Sequence, residues 1–328
     1  MKNEYLPSVS IVMPTYNSER TLSLCLESIA AQNYSREKIE LIIVDGGSRD
    51  RTLEIAREFK ATKILRNPLR TGEAGKAVGV REARNEIIAL IDSDNILPNK
   101  EWLREMTKPF EDDQIVGSET IKFQFVKNDT LINRYCALTG VNDPVCIFVG
   151  NYPYFNYITN KWTEVKHVSE ERENYMTVRF SKETPAAGAN GFLVRRNVLL
   201  PILKNSDYLF DVDIFHTIFS DGKNYFAKVY VGIIHNYCND VSMFIKKQKR
   251  RVKDYLFYQK IRNSPLKTNY FSLLKFALST ALLFPIALQT LIGYLHKKDR
   301  AWLFHVPACY FTLIIYATES IKSLLRAR

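Results

Sequence analysis

Residues 87–95 read IIALIDSDN. Five apolar residues in a row, bounded by polar ones, describe a strand buried on both faces. The run stops at Asp92-Ser93-Asp94, two carboxylates two positions apart where the strand gives out. On a loop beyond a strand, such a pair presents hard oxygens to Mg²⁺ or Mn²⁺, and the cation in turn neutralises a diphosphate. A D-x-D also arises by chance in turns and caps, so its neighbours must decide.

Outward from that stretch the same pattern recurs. Ser8–Met13 (SVSIVM) is rich in β-branched residues and ends at Pro14-Thr15-Tyr16-Asn17, and Glu40–Val44 (ELIIV) ends at Asp45, which opens the turn DGGSRD. A shorter strand is expected at Thr62–Leu65. Helices are expected between them at Thr21–Gln32, where Leu22, Leu26 and Ile29 hold helical spacing, at Arg51–Phe59, and at Gly75–Arg84, which carries Lys76. Strands alternating with helices at this pace predict a parallel α/β sheet, whose ligands bind beyond the carboxyl ends of the strands. Residues 14–17, Asp45 and the D-x-D then converge on one cleft. Each has an ordinary alternative: Asn17 as a helix N-cap, Asp45 as a capping turn, Lys76 on a solvated helix face. Beyond Asn95 the pattern loosens. Ile115–Val126 alternates like an edge strand, the stretch to about Pro185 is aromatic and irregular, and Leu209–Asp221 reads as a helix bearing Asp211 and Asp213.

The composition of the 328 residues, 46% hydrophobic and 25% charged, excludes wholesale disorder and fibrous repeats. Five scattered cysteines without a Cys-x-x-Cys pair point to a reducing compartment. The net charge of +11 is concentrated: residues 241–328 hold sixteen Lys/Arg against three Asp/Glu, whereas residues 1–240 are close to neutral at −2. Within that tail, KKQKRRVK (Lys246–Lys253) suits anionic headgroups. Tyr270–Leu295 has Lys275 as its only charge and Trp302–Thr318 has none, lengths that suit membrane spans. Buried core helices are the alternative, as is a re-entrant or interfacial hairpin, because Pro285 interrupts the first segment and His296–Arg300 carries three cations. No nucleic-acid partner is expected, since such binders more often spread charge over a folded face. The opening apolar run is only Val9–Met13, so no signal peptide is expected.

SVSIVMPTYNSERTLSLCLESI, IELIIVDGGSRDRTLEIA and GKAVGVREARNEIIALIDSDNIL, in that order, resemble the nucleotide-diphospho-sugar domain of the family 2 glycosyltransferases. The resemblance resumes at GANGFLVRRNVL, at LFDVDIF and at His235. It implies a GT-A fold, mostly a parallel sheet flanked by helices, and inverting transfer from a nucleotide-sugar donor, a UDP-sugar by preference. It implies that Pro14, Thr15, Tyr16 and Asn17 line the nucleotide pocket, that Asp45 accepts from the base, and that Lys76 lies near ribose or diphosphate. Asp92 would sit at ribose and metal, Asp94 would bind Mn²⁺ or Mg²⁺ directly, and His235 would complete the metal shell. The family's Glu-Asp motif falls on Phe210-Asp211, with Phe210 in the glutamate's place. Asp211 is then the general base and Asp213 the second choice, about 200° away around a helix.

These expectations divide the chain into a catalytic domain at 1–240 (nucleotide half 1–100, acceptor half 101–240), a basic amphipathic membrane-surface segment at 241–269, and two transmembrane or interfacial helices at 270–328. The expected acceptor is membrane-borne, a lipid-linked saccharide in polysaccharide or glycan assembly, with the catalytic domain facing the cytoplasm. The competing readings are a polyprenyl-phosphate sugar synthase and a non-catalytic membrane scaffold of the same fold.

Overall fold

The computed structural model describes residues 6–203, 206–258 and 269–326. They fall into two compact units, one formed by 1–122 and 165–236, the other by 123–164 and 237–328.

The first unit is built on a ten-stranded sheet. Strands β1 (Val9–Thr15), β2 (Ile39–Asp45), β3 (Lys63–Arg66) and β4 (Ile87–Leu90) run parallel in the order β3-β2-β1-β4. Val9 pairs with Ile39 on one side and with Ile87 on the other. The near-continuous apolar runs of β1, β2 and β4 are buried, as two covered faces require. Helices α1 (Glu19–Ala30), α2 (Thr52–Glu58) and α3 (Gly72–Glu82) make the crossovers. After the two-residue β5 (Asn95–Ile96) and α4 (Trp102–Thr107) the sheet continues past β4 with antiparallel pairings. It takes in β9 (Phe192–Arg195), β6 (Ile115–Gln124), β10 (Tyr225–His235), β8 (Tyr175–Arg179) and β7 (Val168–Glu171), in that spatial order. The sheet is therefore mixed, and β6 lies in its interior instead of at the expected edge. The alternation seen in Ile115–Val126 holds only at its far end, since residues 115–120 are all buried. Helices α7 (Arg196–Ile202) and α8 (Asp211–Phe219) complete this unit.

One packing detail sets the site. An added Cβ at Gly79 would stand 2.4 Å from Val12 Cγ1, and one at Gly75 would stand 2.9 Å from Pro14 Cβ. Two glycines one turn apart thus let α3 lie directly on β1, which carries Lys76 between them to the strand ends.

The second unit is helical: α5 (Leu131–Thr139), α6 (Val145–Val149), α9 (Val241–Tyr258), α10 (Tyr270–Leu282), α11 (Phe284–His296) and α12 (His305–Arg326). Its core gathers Tyr135, Phe148, Phe244, Phe276, Ile286 and Trp302. Residues 123–164, assigned from sequence to the catalytic half, cluster here because the apolar faces of α5 and α6 pack among the C-terminal helices. Arg134 on α5 grips Asp299 with a shortest contact of 2.6 Å. The expected continuous span at Tyr270–Leu295 is absent. Leu283 takes a left-handed conformation (φ 61°) ahead of Pro285, and the two arms diverge by 91°. Residues 300–323 are long and apolar enough to cross a membrane, although 44% of the apolar window is buried. Residues 259–268 of the expected surface segment lie outside the described residues.

Gly79→Val should displace α3 and destabilise the protein by about 1–3 kcal/mol through overpacking. Urea unfolding should show a lower midpoint at unchanged slope.

Candidate functional site

The polar residues beyond the strand ends of the first unit form one connected surface. Register places Thr15 opposite Asp45, and the Thr15 hydroxyl donates to Asp45 Oδ1 at 3.2 Å. Asp45 also accepts the backbone N–H groups of Gly47 (2.8 Å) and Ser48 (2.9 Å) and the Ser48 hydroxyl (2.5 Å). Four donors match the roughly four lone-pair sites of a carboxylate, so Asp45 holds the turn, and a nucleobase N–H would have to displace one of them. Asn17 joins the first two loops in a left-handed conformation (φ 49°). Its N–H donates to Ser48 Oγ at 2.8 Å and its Oδ1 accepts from the Arg49 N–H at 2.9 Å. Tyr16 projects into solvent, 54% exposed, with its ring edge beside Gly46.

Lys76 reaches this surface from α3. Its buried ammonium donates to Asp211 Oδ2 at 2.6 Å and lies 3.5 Å from Asp92 Oδ1. Two carboxylates around one ammonium hold the lysine above its ordinary pKa despite burial. Asp211 is pushed up to about 7 by burial, with Asp92 and Glu73 adding repulsion and Lys76 pulling the other way. Its second oxygen, Oδ1, is buried without a hydrogen-bond partner among the described residues. Asp211 opens α8, where the Phe210 carbonyl accepts from the N–H groups of Asp213 and Ile214 at 3.0 Å each. Phe210, in the place of the expected glutamate, stacks on Tyr208 with ring centroids 5.8 Å apart.

The D-x-D turn is pinned by Asn95, which carries no mark of that role in the sequence. Asn95, fully buried, accepts the Asp92 N–H through its Oδ1 at 3.0 Å and donates through Nδ2 to Asn190 Oδ1 at 3.0 Å. Its backbone pairs with His235 in the β5–β10 ladder. That pairing brings His235 Nε2 to 3.5 Å from Asp94 Oδ2. Adjacent ligands on an octahedral cation with bonds of ~2.1 Å stand about 3 Å apart, so this pair fits Mn²⁺ or Mg²⁺ with little movement. No cluster of three His, Cys, Asp or Glu donors is assembled among the described residues.

Beneath the site lies a second unforeseen element. Lys228 on β10 and Glu119 on β6 form a 2.7 Å ion pair with both side chains fully buried. Burial lowers the Lys228 pKa, and Glu119 opposes that shift. The other Glu119 oxygen accepts the Gly188 N–H at 3.0 Å. Gly188 has φ +105°, and a Cβ there would stand 2.7 Å from the Asp211 carbonyl oxygen. The buried pair thus fixes the loop on which Asp211 rests. From sequence only the GANG turn was visible; Glu119 and Lys228 look like ordinary charges in strands.

A mixed sheet of this topology, with acidic and cationic side chains gathered beyond its strand ends, has counterparts among solved structures. Mannosyltransferase PcManGT from Pyrobaculum calidifontis, solved with GDP-Man and Mn2+, superposes with a TM-score of 0.57 at 16% identity, covering 97% of this chain and 88% of that one. The fold is GT-A. Residues 10–199, more than half of the chain, match Glycosyl transferase family 2, and the chain belongs to that family. Glycosyltransferase AglE of Haloferax volcanii is 30% identical over 143 residues, 42% of this chain and 46% of AglE. The dolichyl N-acetyl-alpha-D-glucosaminyl phosphate 3-beta-D-2,3-diacetamido-2,3-dideoxy-beta-D-glucuronosyltransferase of Methanococcus voltae is 28% identical over 109 residues, 31% of this chain and 34% of that protein. The matched stretch spans less than half the length of these two curated relatives.

Glu119→Gln should cost about 3–5 kcal/mol, since it strands a buried ammonium. Glu119→Leu combined with Lys228→Met should cost less than either change alone, as a denaturant double-mutant cycle will show.

Proposed function

We propose that this chain is an inverting glycosyltransferase that moves a sugar from a nucleoside-diphosphate donor, a UDP-sugar in this reading, to a membrane-borne lipid-linked saccharide. The observation that carries the proposal is Asp211. Lys76 grips one of its oxygens, while the other is buried and has no hydrogen-bond partner among the described residues. In the reaction the acceptor hydroxyl attacks the anomeric carbon from the face opposite the diphosphate, and the Asp211 carboxylate takes the hydroxyl proton. The bond from the anomeric carbon to the diphosphate oxygen breaks, and the electron pair leaves with the nucleotide. Attack opposite the leaving group inverts the anomeric centre.

A base whose pKa lies near the working pH combines a large ionised fraction with adequate basicity. Asp211 is held near 7 by burial and by the charges that face it: Lys76, Asp92 and Glu73. Lys76 also stands where the charge of the departing diphosphate develops, and a preorganised ammonium there favours bond cleavage. The loops of β1 and β2 offer the nucleotide the Tyr16 ring and the turn stabilised by Asp45. Asp94 and His235, with Asp92 beside them, would hold Mn²⁺ or Mg²⁺, which when bound supplies charge neutralisation for the leaving group.

The membrane-borne acceptor is supported by the +13 net charge of residues 241–328 and by the exposed apolar helices of the second unit. It is supported also by the M. voltae relative, whose name specifies a dolichyl-linked phosphate substrate. In this reading the catalytic unit faces the cytoplasm, where nucleotide sugars are supplied.

Asp211→Asn should lower kcat by about 10²–10⁴ while donor binding persists. In the native protein kcat/KM should rise with pH through about 7, because the carboxylate is the working form, and Asp211→Asn should lose this limb. If Asp213→Asn is the inactive variant instead, the assignment of the base fails. Asp94→Asn should abolish turnover and weaken nucleotide-sugar binding in Mn²⁺. An affinity unchanged by the substitution and by EDTA would remove the metal from the proposal.

A further inference from the structure

We propose that the helical unit docks on the surface of an anionic bilayer and does not cross it, with α10 and α11 lying in the interface plane. This rests on the membrane-borne acceptor proposed above and specifies how the membrane is met.

The first argument concerns α12, which alone passes the length and hydropathy test for a span among the described residues. It is packed along α9. Phe304, just before its start, meets Phe244 near the start of α9, with ring centroids 5.3 Å apart. Three turns on, Tyr316 donates to Asp143, which lies 3.5 Å from Arg251 of α9. One turn further, Glu319 bonds Lys322 at 3.0 Å and lies in the field of Lys253 and Lys249. The two helices therefore run side by side over about 22 Å, at 1.5 Å per residue. On its outer side α9 exposes Lys246, Lys249, Arg250 and Lys253. If α12 crossed a bilayer, these four cations, of which Arg250 meets Asp254 at 3.8 Å, would be drawn toward hydrocarbon, where charged side chains are costly.

The second argument concerns α10 and α11. Thirteen residues each, about 20 Å long, they fall short of a ~30 Å hydrocarbon core, and the left-handed Leu283 sets them at 91°. Both turn apolar side chains outward, and α10 also turns polar ones inward. The buried face of α10 carries Ser272, Phe276 and Thr280, while Phe271, Leu274, Leu278 and Leu282 are exposed. On α11, Phe284, Leu288 and Leu295 are exposed as well. Helices on a soluble surface turn their apolar stripe inward. An outward apolar face interrupted by one exposed cation, Lys275, is the composition of an interfacial helix on anionic lipid. The charge also chooses between occupants, because a second copy seated on this face would bring +13 against +13.

The test uses the full chain and sealed vesicles of phosphatidylcholine, with and without phosphatidylglycerol. The protein should float with the anionic vesicles and at least tenfold less with the neutral ones. Leu278→Glu with Leu288→Glu should cut binding more than tenfold, while circular dichroism, melting midpoint and donor hydrolysis stay at native values. In cell-derived inside-out vesicles, Lys298→Cys and Ser323→Cys should both react with a membrane-impermeant maleimide. Labelling of the two from opposite sides would show that α12 crosses and overturn the proposal. Undiminished vesicle binding by the glutamate variant would also overturn it, as would a dimer in light scattering that the same variant dissolves. Intact vesicle binding without transfer to any lipid-linked acceptor would instead refute the acceptor reading and leave the docking mode standing.

Discussion

The ammonium of Lys76 between Asp211 and Asp92 is the contact on which the site depends. Three charges of alternating sign, drawn from a helix, a strand end and a second helix 135 positions along the chain, meet there, with Lys76 buried and Asp92 part-exposed. Without the lysine, Asp211 would keep the burial that disfavours its ionisation and lose the ammonium that opposes it. Without the glycine seam of α3, the lysine could not lie so close to the sheet. Local sequence, helix packing and the ionisation of Asp211 are thus one chain of cause.

Much of this was legible in the sequence. The apolar runs of β1, β2 and β4 announce strands covered on both faces, and a parallel sheet follows from their alternation with helices. Because such sheets open their ligand sites at the carboxyl ends, Asn17, Asp45 and the D-x-D gather into one cleft from sequence alone, whereas Lys76 joins them only through the resemblance. Asp211 came from the resemblance, since two carboxylates at a helix start carry no intrinsic mark of a base. What stayed hidden depends on non-local pairing. Glu119 and Lys228 stand 109 positions apart, and only strand order brings them together. The interior placement of β6 was misread for the same reason: alternation reports on one strand, whereas edge or centre is a property of the sheet. Asp45 shows the converse. Its type and position were plain, but its four internal donors became visible only with the turn in place.

The second unit marks where hydropathy stops being informative. A window over 270–295 counts apolar residues and cannot register a single left-handed residue, yet Leu283 turns one potential span into two short arms. Likewise the apolar character of α12 says nothing of the charged helix beside it. The Asp143, Arg251 and Tyr316 contacts, which tie α12 to α9, lie between residues more than a hundred positions apart or on separate helices.

The Asn95 side chain has a consequence for how this protein tolerates change. A single buried amide links the D-x-D turn to the GANG loop, and its backbone links both to the strand that ends in His235. Groups that share a partner in this way do not vary independently. Substitutions at Asp92, Asn190 and His235 should therefore be strongly epistatic, each altering the cost of the others. The surface proposed to meet the sugar nucleotide would then respond to substitution as one block.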